Sequence, residues 1–168
     1  MRTVADLMAW RRRHLQNNPH MPHLVLAIGC FDLLHPGHIR HLEAAARFGD
    51  SLAVLVTPDR FVSKGPGRPV MNESLRTEMI NALDCVDAAV VNDYPTAVEM
   101  IYQLKPSVLA KGWEYKSNMT DSLRAEIAAL EAVGGRLIFT PESEFSTTSL
   151  VRAVKGCEPL NGVQIDEG

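Results

Sequence analysis

Cysteine is scarce. The 168 residues hold three, Cys30, Cys85 and Cys157, far apart and with no Cys-x-x-Cys pair. An odd, scattered set gives no disulfide framework and no zinc cluster, and it fits a reducing cytoplasm. An excess of one charge is also missing. Seventeen Lys+Arg against twenty Asp+Glu leave a net charge of −3. That excludes a strongly basic nucleic-acid binder, though not a local basic pocket. No apolar run approaches the ~18 residues of a membrane span, so no membrane partner is expected. The first residues carry Asp6 and then Arg11-Arg12-Arg13, with no long apolar segment, and read as no secretory signal. The three arginines read as a solvated helix face. No internal repeat or low-complexity segment appears. What is present is ordinary for a folded domain, with 46 % apolar and 22 % charged residues. The length suits one core. A single domain is expected over residues 1–156, followed by a polar tail over 157–168.

Strand and helix patterns alternate along the chain. Residues 3–16 read as a helix with Leu7, Trp10 and Leu15 as its apolar positions, ended by Asn17-Asn18-Pro19. Leu24-Val25-Leu26-Ala27-Ile28 is a continuous apolar run, the mark of a strand buried on both faces. Further runs at 52–56, 88–91, 107–110 and 137–139 read the same way. Between them, helices are expected over 36–48, 73–83, 96–104 and 121–133. Pro36 suits a first turn, Asn72 an N-cap, and Gly134-Gly135 a helix end. Ser146 or Thr147 is expected to cap a last helix through Leu150, Val151 and Val154. Residues 58–71 form the one long connection, rich in Gly, Pro and basic side chains. Five apolar strands separated by helices demand an α/β fold, a doubly wound five-stranded parallel sheet with helices on both faces and an extra N-terminal helix. Such sheets bind ligands at the carboxyl ends of their strands, where the strand order reverses.

The first strand is followed by Gly29-Cys30-Phe31-Asp32-Leu33-Leu34-His35-Pro36-Gly37-His38. Two histidines stand three residues apart, astride a helix start. Gly37 leaves room for close approach of a ligand. A helix N-terminus presents free amides and a positive dipole end, and two imidazole N–H donors there make a site for phosphate. A metal site from His35, His38 and His41 is the weaker alternative, since no carboxylate or cysteine converges on them.

This segment resembles the signature of the cytidylyltransferase-like nucleotidyltransferases. Lys64-Gly65-Pro66-Gly67-Arg68-Pro69-Val70, Arg76, Ala82-Leu83-x-x-Val86-Asp87, Lys111-Gly112-x-x-Tyr115 and Phe145-Ser146-Thr147-Thr148 extend the likeness toward bacterial heptose-phosphate adenylyltransferases. The leading helix with Trp10 resembles them too. The resemblance covers residues 3–154 in order and implies a Rossmann-like fold. It implies that His35, His38 and Lys64 are catalytic. Gly29, Cys30, Phe31, Asp32, Gly37, Arg68, Lys111, Gly112, Ser146, Thr147 and Thr148 would bind the nucleotide. Asp32, Trp113 and Tyr115 would border the acceptor. Mg²⁺ is the implied cofactor, bridging the phosphates. A homodimer is consistent with the family, with Trp10 or Trp113 as an exposed contact.

The implied reaction is transfer of a nucleoside monophosphate from ATP or CTP to a phosphorylated small acceptor, a sugar 1-phosphate, with release of pyrophosphate. The nucleophile is already ionised at neutral pH, so no Ser–His–Asp triad is required. One departure stands out. The heptose enzymes carry Lys-Gly-Gly-Asp-Tyr where this chain has Lys111-Gly112-Trp113-Glu114-Tyr115. Turned inward, Trp113 would reshape the acceptor pocket or stack on a base; turned outward, it would serve an interface. The alternatives are a CTP-dependent cytidylyltransferase acting on a small alcohol phosphate or phosphonate, and a non-catalytic nucleotide-binding module. A dinucleotide-binding protein would need Gly-x-Gly-x-x-Gly after the first strand, which is absent. Arg76 reads as a helix anchor, Asp87 as a strand-end partner and Cys30 as a packing residue.

Overall fold

A computed structural model describes residues 3–17, 23–141 and 151. The expected last helix and the tail over 157–168 lie outside the described residues. Five strands form one sheet: β1 (Leu24–Gly29), β2 (Ser51–Val56), β3 (Ala88–Val91), β4 (Val108–Lys111) and β5 (Arg136–Phe139). All four pairings are parallel, and the order is β3-β2-β1-β4-β5. The chain winds outward one way from β1 to β3, then returns past β1 to β4 and β5. The order therefore reverses between β1 and β4, as the alternating pattern requires.

Among the described residues, six helices accompany the sheet: α1 (Val4–Asn17), α2 (Pro36–Ala46), α3 (Glu73–Asn81), α4 (Val98–Leu104), α5 (Glu114–Ser117) and α6 (Asp121–Ala132). A single 3-10 turn covers Asp59–Phe61. Because strand side chains alternate, β1 feeds two cores at once. Leu24 and Leu26 join Leu7 of α1, Met100 and Ile101 of α4 and Leu130 of α6 on one face. Val25 and Ala27 join Leu42 of α2 and Ile80 of α3 on the other. Each Leu or Ile buried this completely contributes about 1.5–3 kcal/mol.

Local chemistry sets the helix ends. The Asn72 carboxamide accepts Leu75 N–H at 3.0 Å at the start of α3. Thr120 caps α6 in the same way through Leu123 N–H. Gly134, at φ +80°, ends α6 in the left-handed region that glycine tolerates. A Cβ on Gly135 would stand 2.5 Å from the Pro106 carbonyl, so the α6–β5 corner needs that glycine. Asp87 accepts Leu52 N–H at 2.8 Å, holding the entry of β2. The exposed edge of β3 is covered by Asn81, whose amide both donates to and accepts from the Ala89 backbone.

Three expectations are corrected. α2 stops at Ala46 and α3 at Asn81, two residues earlier than the apolar pattern suggests, because Phe48 N–H and Leu83 N–H turn back in short i→i−3 bonds to Ala45 and Ile80. The arginine triplet is not one solvated face. Arg11 is buried, one helical turn from Leu7, while Arg12 and Arg13 are exposed. Trp10 is half-buried against the α1-side core, which leaves Trp113 as the exposed tryptophan.

Candidate active site

The topological switch lies between the carboxyl ends of β1 and β4. After Gly29 the chain makes a tight turn in which Phe31 and Leu33 take positive φ, 51° and 48°. Such conformations cost of the order of 1–3 kcal/mol each and persist where surrounding contacts enforce them. The main enforcer is Arg76, a wholly buried residue of α3. Its guanidinium donates to the Cys30 carbonyl, to the Met71 carbonyl at 2.9 Å and to the Thr57 carbonyl at 2.8 Å, and it pairs with Asp59 at 2.6 Å. One side chain thus ties the turn after β1, the exit of β2 and the end of the long loop.

The turn delivers His35 and His38 to the start of α2. His35 is the N-cap, and its Nδ1 accepts Gly37 N–H at 3.1 Å. In the neutral ring the proton then sits on Nε2, which becomes a donor. The His38 ring stacks on His35 with centroids 3.7 Å apart. Burial, the neighbouring His35, Lys64 and His41 push the His38 pKa down to about 3, against a smaller upward pull from Asp32. Burial and then Lys64 lower His35 as well. Both rings are therefore neutral donors at neutral pH. Phe31 lies edge-on to His38 and parallel to His41, with centroids at 5.4 and 6.4 Å. His41 turns away from the pair and meets Thr140 Oγ1 at 2.7 Å. Burial, helped by Lys111, lowers its pKa to about 4.

Asp32 is fully buried, and its carboxylate faces the long loop. It accepts the Val70 and Met71 N–H groups, each at 3.0 Å, and pairs with Arg68 Nε at 3.0 Å. Arg68, 13 % exposed, is thus engaged by Asp32 rather than free. Lys64 is exposed on the same loop, and its charge reaches both histidines. Gly65 and Gly67, both at positive φ with open space around them, flank that stretch.

Across the switch, Lys111 ends β4 with its ammonium 2.6 Å from Glu126 of α6. The Tyr115 ring lies 5.2 Å from that ammonium, and burial raises the phenol pKa. Gly112 is half-buried beside them. Trp113 opens α5, 39 % exposed, with Lys116 over its ring at 4.0 Å. Ser146, Thr147 and Thr148 lie outside the described residues.

The structure thus gathers Gly29, Cys30, Phe31, Asp32, His35, Gly37 and His38 in one turn, with Lys64 within electrostatic reach. It places Lys111, Gly112 and Tyr115 at and just after the carboxyl end of β4, the strand beside β1. Glu126 escaped the sequence reading because it sits mid-helix, where an acid reads as an exposed face. Among the described residues no three His, Cys, Asp or Glu side chains gather to hold a metal ion. With Asp32 committed to Arg68 and two amides, these residues do not form a Mg²⁺ cage. Among the described residues no helix is long and apolar enough to cross a membrane. A separate groove, lined by Arg60, Glu73, Thr77, Glu78, Asn81 and Asp93, contains none of the site residues. The switch point is the better candidate, because it holds a helix N-terminus and two desolvated imidazoles.

The cytidylyltransferase-like family profile matches residues 26–154. The chain is 42 % identical over 139 residues to the bifunctional protein HldE of Gluconobacter oxydans, covering 81 % of this chain and 28 % of that protein. It is 39 % identical over 152 residues to the bifunctional protein HldE of Koribacter versatilis, covering 88 % of this chain and 29 % of that one. The chain therefore spans less than a third of the length of these relatives. Among solved structures, the lipopolysaccharide core biosynthesis protein of Thermoplasma volcanium aligns with TM-score 0.60 and 25 % identity over 72 % of this chain and 98 % of its own. Pantothenate synthetase of Thermus thermophilus aligns with TM-score 0.61 at 15 % identity, over 90 % of this chain and 66 % of its own, a likeness of fold alone.

Proposed function

Because the chain belongs to the cytidylyltransferase-like family, we propose that it transfers a nucleoside monophosphate from ATP to a sugar 1-phosphate and releases pyrophosphate. The observation that carries this reading is the neutral His35–His38 stack at the N-terminus of α2, on the strand-order reversal. An acceptor phosphate oxygen attacks the α-phosphorus, the bond to the β-phosphate bridging oxygen breaks, and pyrophosphate leaves with the electron pair. The nucleophile needs no deprotonation. The site has to align the reactants and stabilise growing negative charge. His35 Nε2–H and His38 donate to the phosphate oxygens, and the first amides of α2 add dipole. Donors fixed in this way are worth about 3–4 kcal/mol each.

Lys64, on its glycine-flanked loop, supplies charge to the leaving pyrophosphate. Arg68 acts through Asp32, fastening that loop over the turn. Ser146, Thr147 and Thr148 are read as further phosphate donors, and Lys111, Gly112 and Tyr115 as the acceptor side. Trp113 belongs to the rim of the crevice. When bound, Mg²⁺ would supply charge neutralisation on the nucleotide phosphates, beside the donors of His35, His38 and Lys64. A nucleoside triphosphate substrate fits a cytoplasmic reaction.

The test is pyrophosphate release from ATP, CTP, GTP and UTP, each with several phosphate and phosphonate acceptors. Turnover with ATP and a sugar 1-phosphate, lost in His35→Ala and His38→Ala, supports the reading. Turnover with CTP alone replaces it by a cytidylyltransferase acting on a small alcohol phosphate or phosphonate. Nucleotide binding without turnover on any acceptor points to a non-catalytic module.

A further inference from the structure

Lys111 and Glu126 form a dry ion pair, 2.6 Å apart with side chains 6 % and 3 % exposed. Glu126 is tied at its other end as well. Its Oε1 accepts Ala97 N–H at 3.1 Å, at the start of α4. Desolvating two such charges costs several kcal/mol per ion, and a well-packed apolar pair would serve the fold at least as well. A stabilising role alone therefore does not account for the pair. The lysine ammonium has three N–H donors. Glu126 takes one, Tyr115 offers the face of its ring, and among the described residues no other acceptor meets Nζ. The ammonium stands at the carboxyl end of β4. β4 pairs directly with β1, whose own carboxyl end carries the histidine turn. The ammonium thus stands at the strand-order reversal, beside the strand that leads into His35 and His38.

We propose that Glu126 is a positioning residue for the acceptor: it anchors Lys111 so that the two remaining ammonium donors take the oxygens of the acceptor phosphate, with Tyr115 completing that site. This rests on the nucleotidyltransferase reading. The ligand it selects is a phosphate or phosphonate anion on a small organic body. The paired lysine is neutralised until that anion arrives, which limits competition from chloride or a stray carboxylate. The titratable groups around the pair are His41 from α2, Cys30 from the turn, and Glu114 and Tyr115 from α5. His41 is held neutral by burial, so it adds no positive charge beside the pair.

The test is Glu126→Gln, which keeps the volume and an acceptor for Ala97 N–H but removes the charge. Acceptor KM should rise at least about tenfold, while nucleotide KM moves less than about twofold. A rise in acceptor KM without a matching rise in nucleotide KM does not follow from a merely structural role. Unchanged acceptor KM, or equal weakening of both substrates, overturns the proposal.

If Glu126→Gln does not fold, Lys111→Met with Glu126→Met removes both charges together. That variant should fold and hold nucleotide but show the same rise in acceptor KM, and a wild-type acceptor KM overturns the proposal. Calorimetric titration with inorganic phosphate gives a readout without turnover. Phosphate affinity should fall about tenfold in Glu126→Gln, and equal affinity overturns the proposal even if the wild type releases no pyrophosphate. A wild type silent on the whole panel counts against the nucleotidyltransferase reading, not against the phosphate site.

Discussion

The His38 ring lies against the His35 ring, 3.7 Å between centroids and 25° from parallel. Two imidazolium ions would repel strongly at that distance. Burial and the nearby Lys64 charge keep both neutral, so each offers an N–H without carrying a cation into the site. The arrangement suits a ligand that brings its own negative charge.

His35 has two separable jobs. Its Nδ1 caps α2, which leaves Nε2–H as the ring's donor. His35→Ala should lose both, with about 1 kcal/mol of stability gone with the cap. His35→Asn should keep the cap, because asparagine is a strong N-cap, and still lose the donor. The expected outcome is a melting temperature near wild type for Asn and a lower one for Ala. Pyrophosphate release should fall about 10²–10³-fold in both. Equal activity of His35→Asn and wild type would mean that the ring serves only as a cap.

Acid should destabilise the fold before most carboxylates titrate. His38 and His41 are held neutral in the folded state, down to about 3 and about 4, while unfolded histidine takes its proton near 6.5. Between these values the unfolded chain binds more protons. Stability is then fully present above pH 6.5 and is lost as pH falls toward the folded values, each group contributing up to ~1.4 kcal/mol per pH unit. Urea unfolding at pH 7 and pH 5 should show the drop. His41→Asn, which keeps a polar partner for Thr140, should flatten it. A slope unchanged in that variant would show that His41 is not the group responsible.

Much of this was legible in the sequence. Apolar runs such as Leu52-Ala53-Val54-Leu55-Val56 have one stable use in a chain this short, a strand buried on both faces, and alternation with helices then sets the sheet. The histidine turn was legible because His35, Pro36, Gly37 and His38 are local to one helix start. Long-range polar pairing was not. Asp32 is held by Arg68, Val70 and Met71, all more than thirty residues away. Lys111 is held by Glu126 on another element. Neither partnership has a period or a spacing that a sequence displays. α5 was missed because four residues are too few to show a helical pattern.

The Asp32–Arg68 pair should act as the fastening of the long loop. Arg68→Ala leaves Asp32 buried with the two amides but without its cation, and Asp32→Asn weakens all three contacts. Breaking a buried pair on one side costs about 3–5 kcal/mol when the remaining charge stays buried. Here the loop can swing out and let water reach Asp32, so the loss should appear mainly as opening. Limited proteolysis should cut after Lys64 faster in both variants, and nucleotide KM should rise more than acceptor KM. Cleavage at the wild-type rate would place the fastening elsewhere.

Arg76 should prove indispensable to the turn without touching substrate. Its guanidinium satisfies the carbonyls of Cys30, Thr57 and Met71 and pairs with Asp59, all from full burial. Arg76→Met removes five donors and orphans three carbonyls, each costing about 1–3 kcal/mol if it stays buried. Arg76→Lys keeps the charge but offers a compact ammonium in place of a planar fork, and it cannot span three carbonyls on different segments. Both variants should therefore lose several kcal/mol in urea unfolding, with Lys recovering less than half of the Met deficit. The αL conformations of Phe31 and Leu33 depend on that clamp, so loosening it should also shift the His35 and His38 ring signals in NMR spectra under conditions where the chain stays folded. Unmoved histidine signals in a folded Arg76→Lys variant would mean that the turn holds its shape without the clamp.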